Sequence, residues 1–361
     1  MIPVNVPLGV GLHAVGALSA ASCYTPRKKT TLWAWEIYWI SQATCAWLIL
    51  PIIGAMLTVP DYFGLLAECP PAVMLKSFGL GFVYGTGGLA FGLAIRYIGL
   101  SLTYSIAIGI SATLGTLMPL FWTPNDGWVY KFDTLFNSLP GAMVFAGILL
   151  AVAGIIVCGY AGAMRERADT QAQTAFSSRR GVPLVIVAGV LSSVFNFALL
   201  AGEPLAKAAT ERGATELLSW NAIYPFSHGG AWLINLIWCL FLIGKNRTAV
   251  QFVRLPGTTR GGLPSYYLMA LLSGAFWYFQ FFFYGMGQAC IGKQYEFTSW
   301  ALHMSMLILF SNLYGKLFRE WEGADKLPRQ VLNLGMAIIV ASTLLIAYGN
   351  HLGQQLTATA K

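Results

Sequence analysis

Apolar residues run through this chain in long blocks separated by short polar gaps. Ten blocks reach the roughly 20 residues that cross a bilayer as a helix: about 7–25, 34–58, 73–95, 100–122, 140–162, 182–206, 218–244, 264–290, 297–317 and 331–351. Arg96 to Gly99 is so short a gap that blocks three and four must form an antiparallel hairpin. The longest polar segment, Met164 to Gly181, is too small for a soluble domain. The pattern predicts an all-α integral membrane protein of ten transmembrane helices.

The gaps differ in charge. Those after odd-numbered blocks hold 16 Lys and Arg, among them Arg27, Lys28, Lys29, Arg165, Arg179, Arg180, Lys316 and Arg319. The opposite side holds 6: Lys76, Lys131, Lys207, Arg212, Lys293 and Lys361. Basic residues accumulate on the cytoplasmic side, so both termini are expected outside. Residues Met1 to Cys23 contain no Lys or Arg, so no cleavable signal is expected there.

The chain also reads as doubled. Phe91-Gly92-Leu93-Ala94-Ile95-Arg96-Tyr97-Ile98-Gly99 echoes Tyr284-Gly285-Met286-Gly287-Gln288-Ala289-Cys290-Ile291-Gly292, each closing a block. A weaker echo relates Gly16, Leu18 and Ser19 to Gly189, Leu191 and Ser192. Two repeats of five helices are expected, residues 1–163 and 182–361, joined by a cytoplasmic loop at 164–181. Five is odd, so the second repeat enters the membrane from the opposite side. Such inverted repeats are a transporter architecture, with the substrate near the midplane between them.

Composition agrees and excludes other classes. Hydrophobic residues make up 57% and charged residues 10%, against about 25% charged in soluble domains. The net charge of +8 comes from the gaps, so no nucleic-acid partner is expected. The six Cys form no metal or redox spacing and read as small packing residues. No Walker sequence, H-E-x-x-H or Gly-x-Ser-x-Gly occurs. This excludes motor-driven transport by the chain alone and leaves no catalytic set for an enzyme.

Polar side chains inside apolar blocks face a bundle interior or a cavity. Block eight sets Trp277, Gln280, Phe281, Tyr284 and Gln288 on one helical face. Aromatic plates with amide and phenol groups between them suit a sugar, whose C–H faces pack on rings and whose hydroxyls need donors and acceptors. Block seven adds Asn221, Tyr224, His228 and Asn235, block six Asn196, and block one Tyr24. Apart from Asn235, which only extends the polar stripe of block seven, these are the expected substrate-binding residues, the alternative being helix packing glued by amides. Glu296 and His303, on one face with Ser299, lead the candidates for carrying a proton, and Glu36 and His13 follow. Glu203 is assigned instead to an i, i+4 ion pair with Lys207.

Several blocks together resemble the L-rhamnose–proton symporter family of the ten-span drug/metabolite transporter superfamily. They are Ser19 to Lys29 leading into Trp33-Ala34-Trp35-Glu36, Gly92 to Gly99, and Trp277 to Gly285. Gln294-Tyr295-Glu296, Ser299 to Ser305, and Glu320-Trp321 complete the set. The resemblance implies an inverted-repeat fold, a bacterial cytoplasmic (inner) membrane and uptake of a deoxy sugar with protons. Its partners are then a small-molecule sugar, protons and membrane lipid, with no obligate protein partner and no cofactor beyond the coupling ion H+. An exporter of amphipathic metabolites on the same fold is the alternative, followed by a membrane enzyme acting on lipid-linked sugar.

Overall fold

A computed structural model describes residues 5–98, 100–120, 133–168, 178–256, 262–292, 296–319 and 321–359. Gly99, Lys131, Arg260, Lys293, Gln294, Tyr295, Glu320, Lys361 and the 169–177 part of the connecting loop lie outside them.

The described chain is helical, with no strand among the described residues. Its long helices are α1 (Val6–Ser22), α2 (Trp35–Thr58), α3 (Pro71–Ile98), α4 (Leu100–Leu117), α5 (Leu139–Ala168), α6 (Ser178–Ala201), α7 (Tyr224–Asn246), α8 (Leu263–Ile291), α9 (Thr298–Leu317) and α10 (Lys326–Thr359). Proline sits in the first turn of α1, α7 and α8, where its missing N–H costs nothing. Asn5 caps α1 by accepting from Leu8 N–H at 3.0 Å. Each echo motif does close its helix, α3 at Ile98 and α8 at Ile291.

Among the described residues, eight helices are long and apolar enough to cross a membrane, and α4 is a shorter apolar helix that passes into a tight turn at Met118–Leu120. The first half of α9 is enclosed by the bundle, with Thr298 to Met306 all buried, and there it carries Ser299, His303 and Ser305. Block seven begins later than expected. Asn221 lies in a separate turn, Ser219–Ala222, before α7 and so does not share the helical face of Tyr224 and His228. Glu296 likewise precedes α9 rather than opening it.

The helices pack in pairs: α1 against α8 and α9, α3 against α6 and α7, α4 against α5 and α6. α2 packs on α7 and α8, and α5 on α10. Glycines permit the closest crossings. A Cβ on Gly81 of α3 would stand 1.9 Å from Ser227 O of α7, and one on Gly274 of α8 would stand 2.7 Å from Gln42 O of α2. Loops are tied across the bundle at both ends. At one end Glu36 accepts from Asn246 Nδ2 and Thr248 Oγ1, both at 2.9 Å. At the other, Arg212 pairs with Asp61 at 2.9 Å and with Glu68. The hydrogen bond from Arg212 to Glu68, with Asp61 beside it, raises the guanidinium above its usual pKa. Glu203 and Lys207 form the expected ion pair at 3.3 Å.

Candidate functional site

A cavity of about 520 Å³ opens at the end of the bundle that carries Lys28 and Arg165. That is within the 300–1,000 Å³ usual for small-molecule sites. Its walls come from the end of α1, from α2 to α5, from α7 and from α9. Tyr24, Trp35, Trp39 and Tyr104 supply rings, while Ser105, Asn235, Ser311 and Asn312 supply hydroxyl and amide groups. Among the described residues that line it there is no carboxylate. At the mouth Lys28 lies 4.9 Å over the Phe318 ring and Arg165 lies 5.2 Å over Trp321.

The rings are ordered. Trp35 and Trp39 stack at 5.1 Å, and Tyr24 and Trp39 stack at 6.5 Å. Behind them Trp277 meets Tyr24 edge-on at 5.8 Å, and Trp39, Trp47 and Trp277 meet one another edge-on at 5.7 to 6.2 Å. The Trp39 indole N–H donates to Asn235 Oδ1 at 2.9 Å, and Asn235 Nδ2 donates to Ala231 O at 2.9 Å. Ring faces bordered by fixed polar groups offer a neutral polyhydroxyl ligand both packing and hydrogen bonds.

Of the expected sugar residues, Tyr24 lines this cavity and Trp277 backs it. The rest form a closed core. Tyr224 Oη donates to Phe281 O at 2.5 Å, and Tyr278 Oη donates to Asn221 Oδ1 at 3.2 Å. His228 has its ring against Phe281 at 4.8 Å and its Nδ1 3.3 Å from Ser227 Oγ. Asn196 donates to Gly115 O at 2.7 Å and accepts from Tyr284 Oη at 3.4 Å. Gln280 is buried, its carbonyl 2.7 Å from where a Cβ on Gly16 would stand.

The expected proton carriers divide into two places. His13, Tyr284 and His303 form a ring cluster, with Tyr284 at 5.2 Å from His13 and 5.4 Å from His303, and the histidines 6.2 Å apart. No described residue completes a hydrogen bond of ordinary geometry to either histidine's ring nitrogens or to Ser299 Oγ, all buried. Glu296 accepts from Gln288 Nε2 at 2.9 Å, and Gln288 lies one helical turn beyond Tyr284. Glu36 stands apart from this group, in the loop tie at the start of α2.

Sequence reasoning did not assign the cavity to Trp39, Tyr104, Ser311 or Asn312. Two signals pointed near it: the aromatic run from Trp33 to Trp39, and Asn235 on the polar stripe of α7.

Comparison with known proteins agrees over the whole length. A family model described as L-rhamnose-proton symport protein matches residues 3–351. A protein of Mannheimia succiniciproducens named L-rhamnose-proton symporter is 35% identical over 345 residues, covering 96% of this chain and 98% of its own. Proteins of the same name from Enterobacter sp. (strain 638) and Cronobacter sakazakii are 33% and 34% identical, each covering 95% of this chain and 98% of its own.

Proposed function

The chain belongs to the L-rhamnose–proton symport family, and from that premise we propose that it imports L-rhamnose with protons across a bacterial cytoplasmic membrane. The observation that carries the reading is the cavity: one open chamber with stacked rings along it and fixed amide and hydroxyl groups at its edges. A neutral sugar binds there by packing on Tyr24 and Trp39 and bonding to the polar rim. No cofactor takes part, and H+ is the coupling ion.

All ten long helices cross the membrane in this reading, as two inverted repeats of α1–α5 and α6–α10. Packing supports the repeat. Exchanging each helix for the one five places away turns α3 on α6 into α8 on α1, α3 on α7 into α8 on α2, and α4 on α6 into α9 on α1. The pairs α2 on α7 and α5 on α10 map onto themselves. Gly81 and Gly274 are as far apart in sequence as Phe91 and Tyr284, and each lies against a backbone carbonyl of the neighbouring helix. With the basic loops in the cytoplasm, the cavity faces inward and both termini lie outside. The core of His13, Tyr284, His303, Phe281 and His228 closes the outer half. Gln288 and Glu296 lead from the outer end toward the histidines as a proton route.

Proteoliposomes under an imposed inward proton gradient test the reading. Accumulation of labelled L-rhamnose that a protonophore abolishes is expected. Passive equilibration alone, or accumulation of other substrates without L-rhamnose, overturns it.

A further inference from the structure

The inference rests on the reading of this chain as a sugar symporter and concerns the layer behind the cavity. Three buried N–H donors there have no hydrogen-bond acceptor among the described residues: Gln42 Nε2, Trp47 Nε1 and Trp277 Nε1. Their neighbours are paired. Trp39 Nε1 donates to Asn235 Oδ1, and Trp232 Nε1 donates to Thr44 Oγ1 at 3.1 Å. A buried donor without an acceptor is destabilising, so three on one seam are a marked departure from ordinary packing. Gln42 and Trp47 are almost wholly buried, at 1% and 4% exposure.

The three belong to one seam, where α2 meets α8. The Gln42 carbonyl abuts Gly274, and Trp47 meets Trp277 one turn further along α8. Trp47 and Trp277 fall near the middles of Trp35–Thr58 and Leu263–Ile291, the depth at which such transporters hold substrate. Trp39 touches both and also lines the cavity, so it forms the partition between the open chamber and this layer.

A backbone feature reinforces the point. Residues Cys45–Ile49 form a π-turn within α2, and Leu50 N–H donates to Cys45 O, five residues back. Pro51 has no N–H, so it supplies neither Trp47 O, its α-helical partner, nor Ala46 O, its π-helical one. The widened turn carries Trp47, and such turns concentrate at functional sites.

We propose that Gln42, Trp47 and Trp277 form a donor wall that hydrogen-bonds hydroxyl oxygens of the sugar when Trp39 swings aside. The inward cavity is then the vestibule, and this layer is the transport subsite. A ligand of neutral hydroxyl groups fits, because each hydroxyl oxygen brings the lone pairs these donors lack.

The test measures L-rhamnose binding and unliganded melting temperature for wild type, Trp47→Phe and Gln42→Leu, with a series of monodeoxy L-rhamnose analogues. Each variant removes a donor and keeps an apolar body. Expected are about tenfold weaker L-rhamnose binding and a melting temperature no lower than wild type. At least one monodeoxy analogue should bind wild type about tenfold more weakly than L-rhamnose, and that gap should close in a variant. Unchanged affinity with raised melting temperature overturns the proposal, as do wild-type affinities within twofold across all analogues. The analogue series on wild type decides even where a variant does not fold. Absence of any L-rhamnose binding or uptake by wild type is a different result, since it removes the symporter reading itself.

Discussion

Trp39 Nε1 and Asn235 Oδ1 lie 2.9 Å apart, a hydrogen bond that ties α2 to α7 across the cavity. Asn235 is itself fixed by its own helix through Ala231 O. The indole plate is thus held in register with Trp35 on one side and Tyr24 on the other. Asn235→Leu removes the acceptor and leaves the ring free to rotate. Half-saturation for L-rhamnose uptake is expected to rise about tenfold, the equivalent of one lost hydrogen bond to a group that must stay oriented. Asn235→Asp keeps an acceptor and is expected to lose less. Equal losses from the two variants would mean that Asn235 acts through volume and not through Trp39.

Gly81 and Gly274 make a prediction about stability. A Cβ at Gly81 meets Ser227 O at 1.9 Å, and one at Gly274 meets Gln42 O at 2.7 Å, so the backbones must part. Overpacking of this kind costs about 1–3 kcal/mol. Gly81→Ala should lower the melting temperature of the purified protein more than Gly274→Ala does. Gly11→Ala, with nothing within 4 Å, should leave it unchanged or raised. If all three alanine variants melt alike, the crossings at these glycines are looser than described.

Topology follows from the charge count and can be checked with a membrane-impermeant thiol reagent. All six native cysteines are buried and should stay silent. A cysteine placed at Gln355 should label from outside intact cells, and one placed at Arg180 should label only after the membrane is opened. The reverse pattern would turn the cavity outward and make it an entry site.

The span positions were legible because lipid demands long apolar runs and helices satisfy every backbone group within themselves. α4 and α9 are the informative cases. Their apolar blocks were visible, yet α4 passes into a turn at Met118–Leu120 and the first half of α9 is enclosed by protein. The stripe on α8 read correctly as an interior face, since Gln280, Phe281, Tyr284 and Gln288 are all buried. That this face packs against α1, α6, α7 and α9 while the open cavity lies elsewhere was not legible, because helical spacing says which residues share a face and not which helix covers it. Trp39 and Tyr104 escaped for the same reason: each is one aromatic in an apolar run until Asn235 and Tyr24 are brought beside it.

Proton coupling is the last and most consequential prediction. A symporter must link proton affinity to sugar affinity, and the link is reciprocal: if protonation strengthens sugar binding by some factor, sugar strengthens proton binding by the same factor. Glu296 is joined to Gln288 at 2.9 Å, and one turn back along α8 Tyr284 touches both His13 and His303. That sequence runs from the end of α8, beside Asn5 at the start of α1, toward the bundle centre. In the proposed route a proton entering there would meet the histidines in the closed half, while sugar would leave through the open half. Moving one charge across 100 mV supplies about 2.3 kcal/mol, near fifty-fold accumulation of a neutral sugar. Glu296→Gln and His303→Gln should therefore still exchange labelled for unlabelled L-rhamnose at equal concentrations, yet fail to accumulate it under a proton gradient. Their sugar affinity should also lose most of its dependence on pH, which a merely structural defect would leave intact. Accumulation by both variants at the wild-type level would remove this route and move the search to His13 alone and to Glu36, whose loop tie to Asn246 and Thr248 would then need a second purpose.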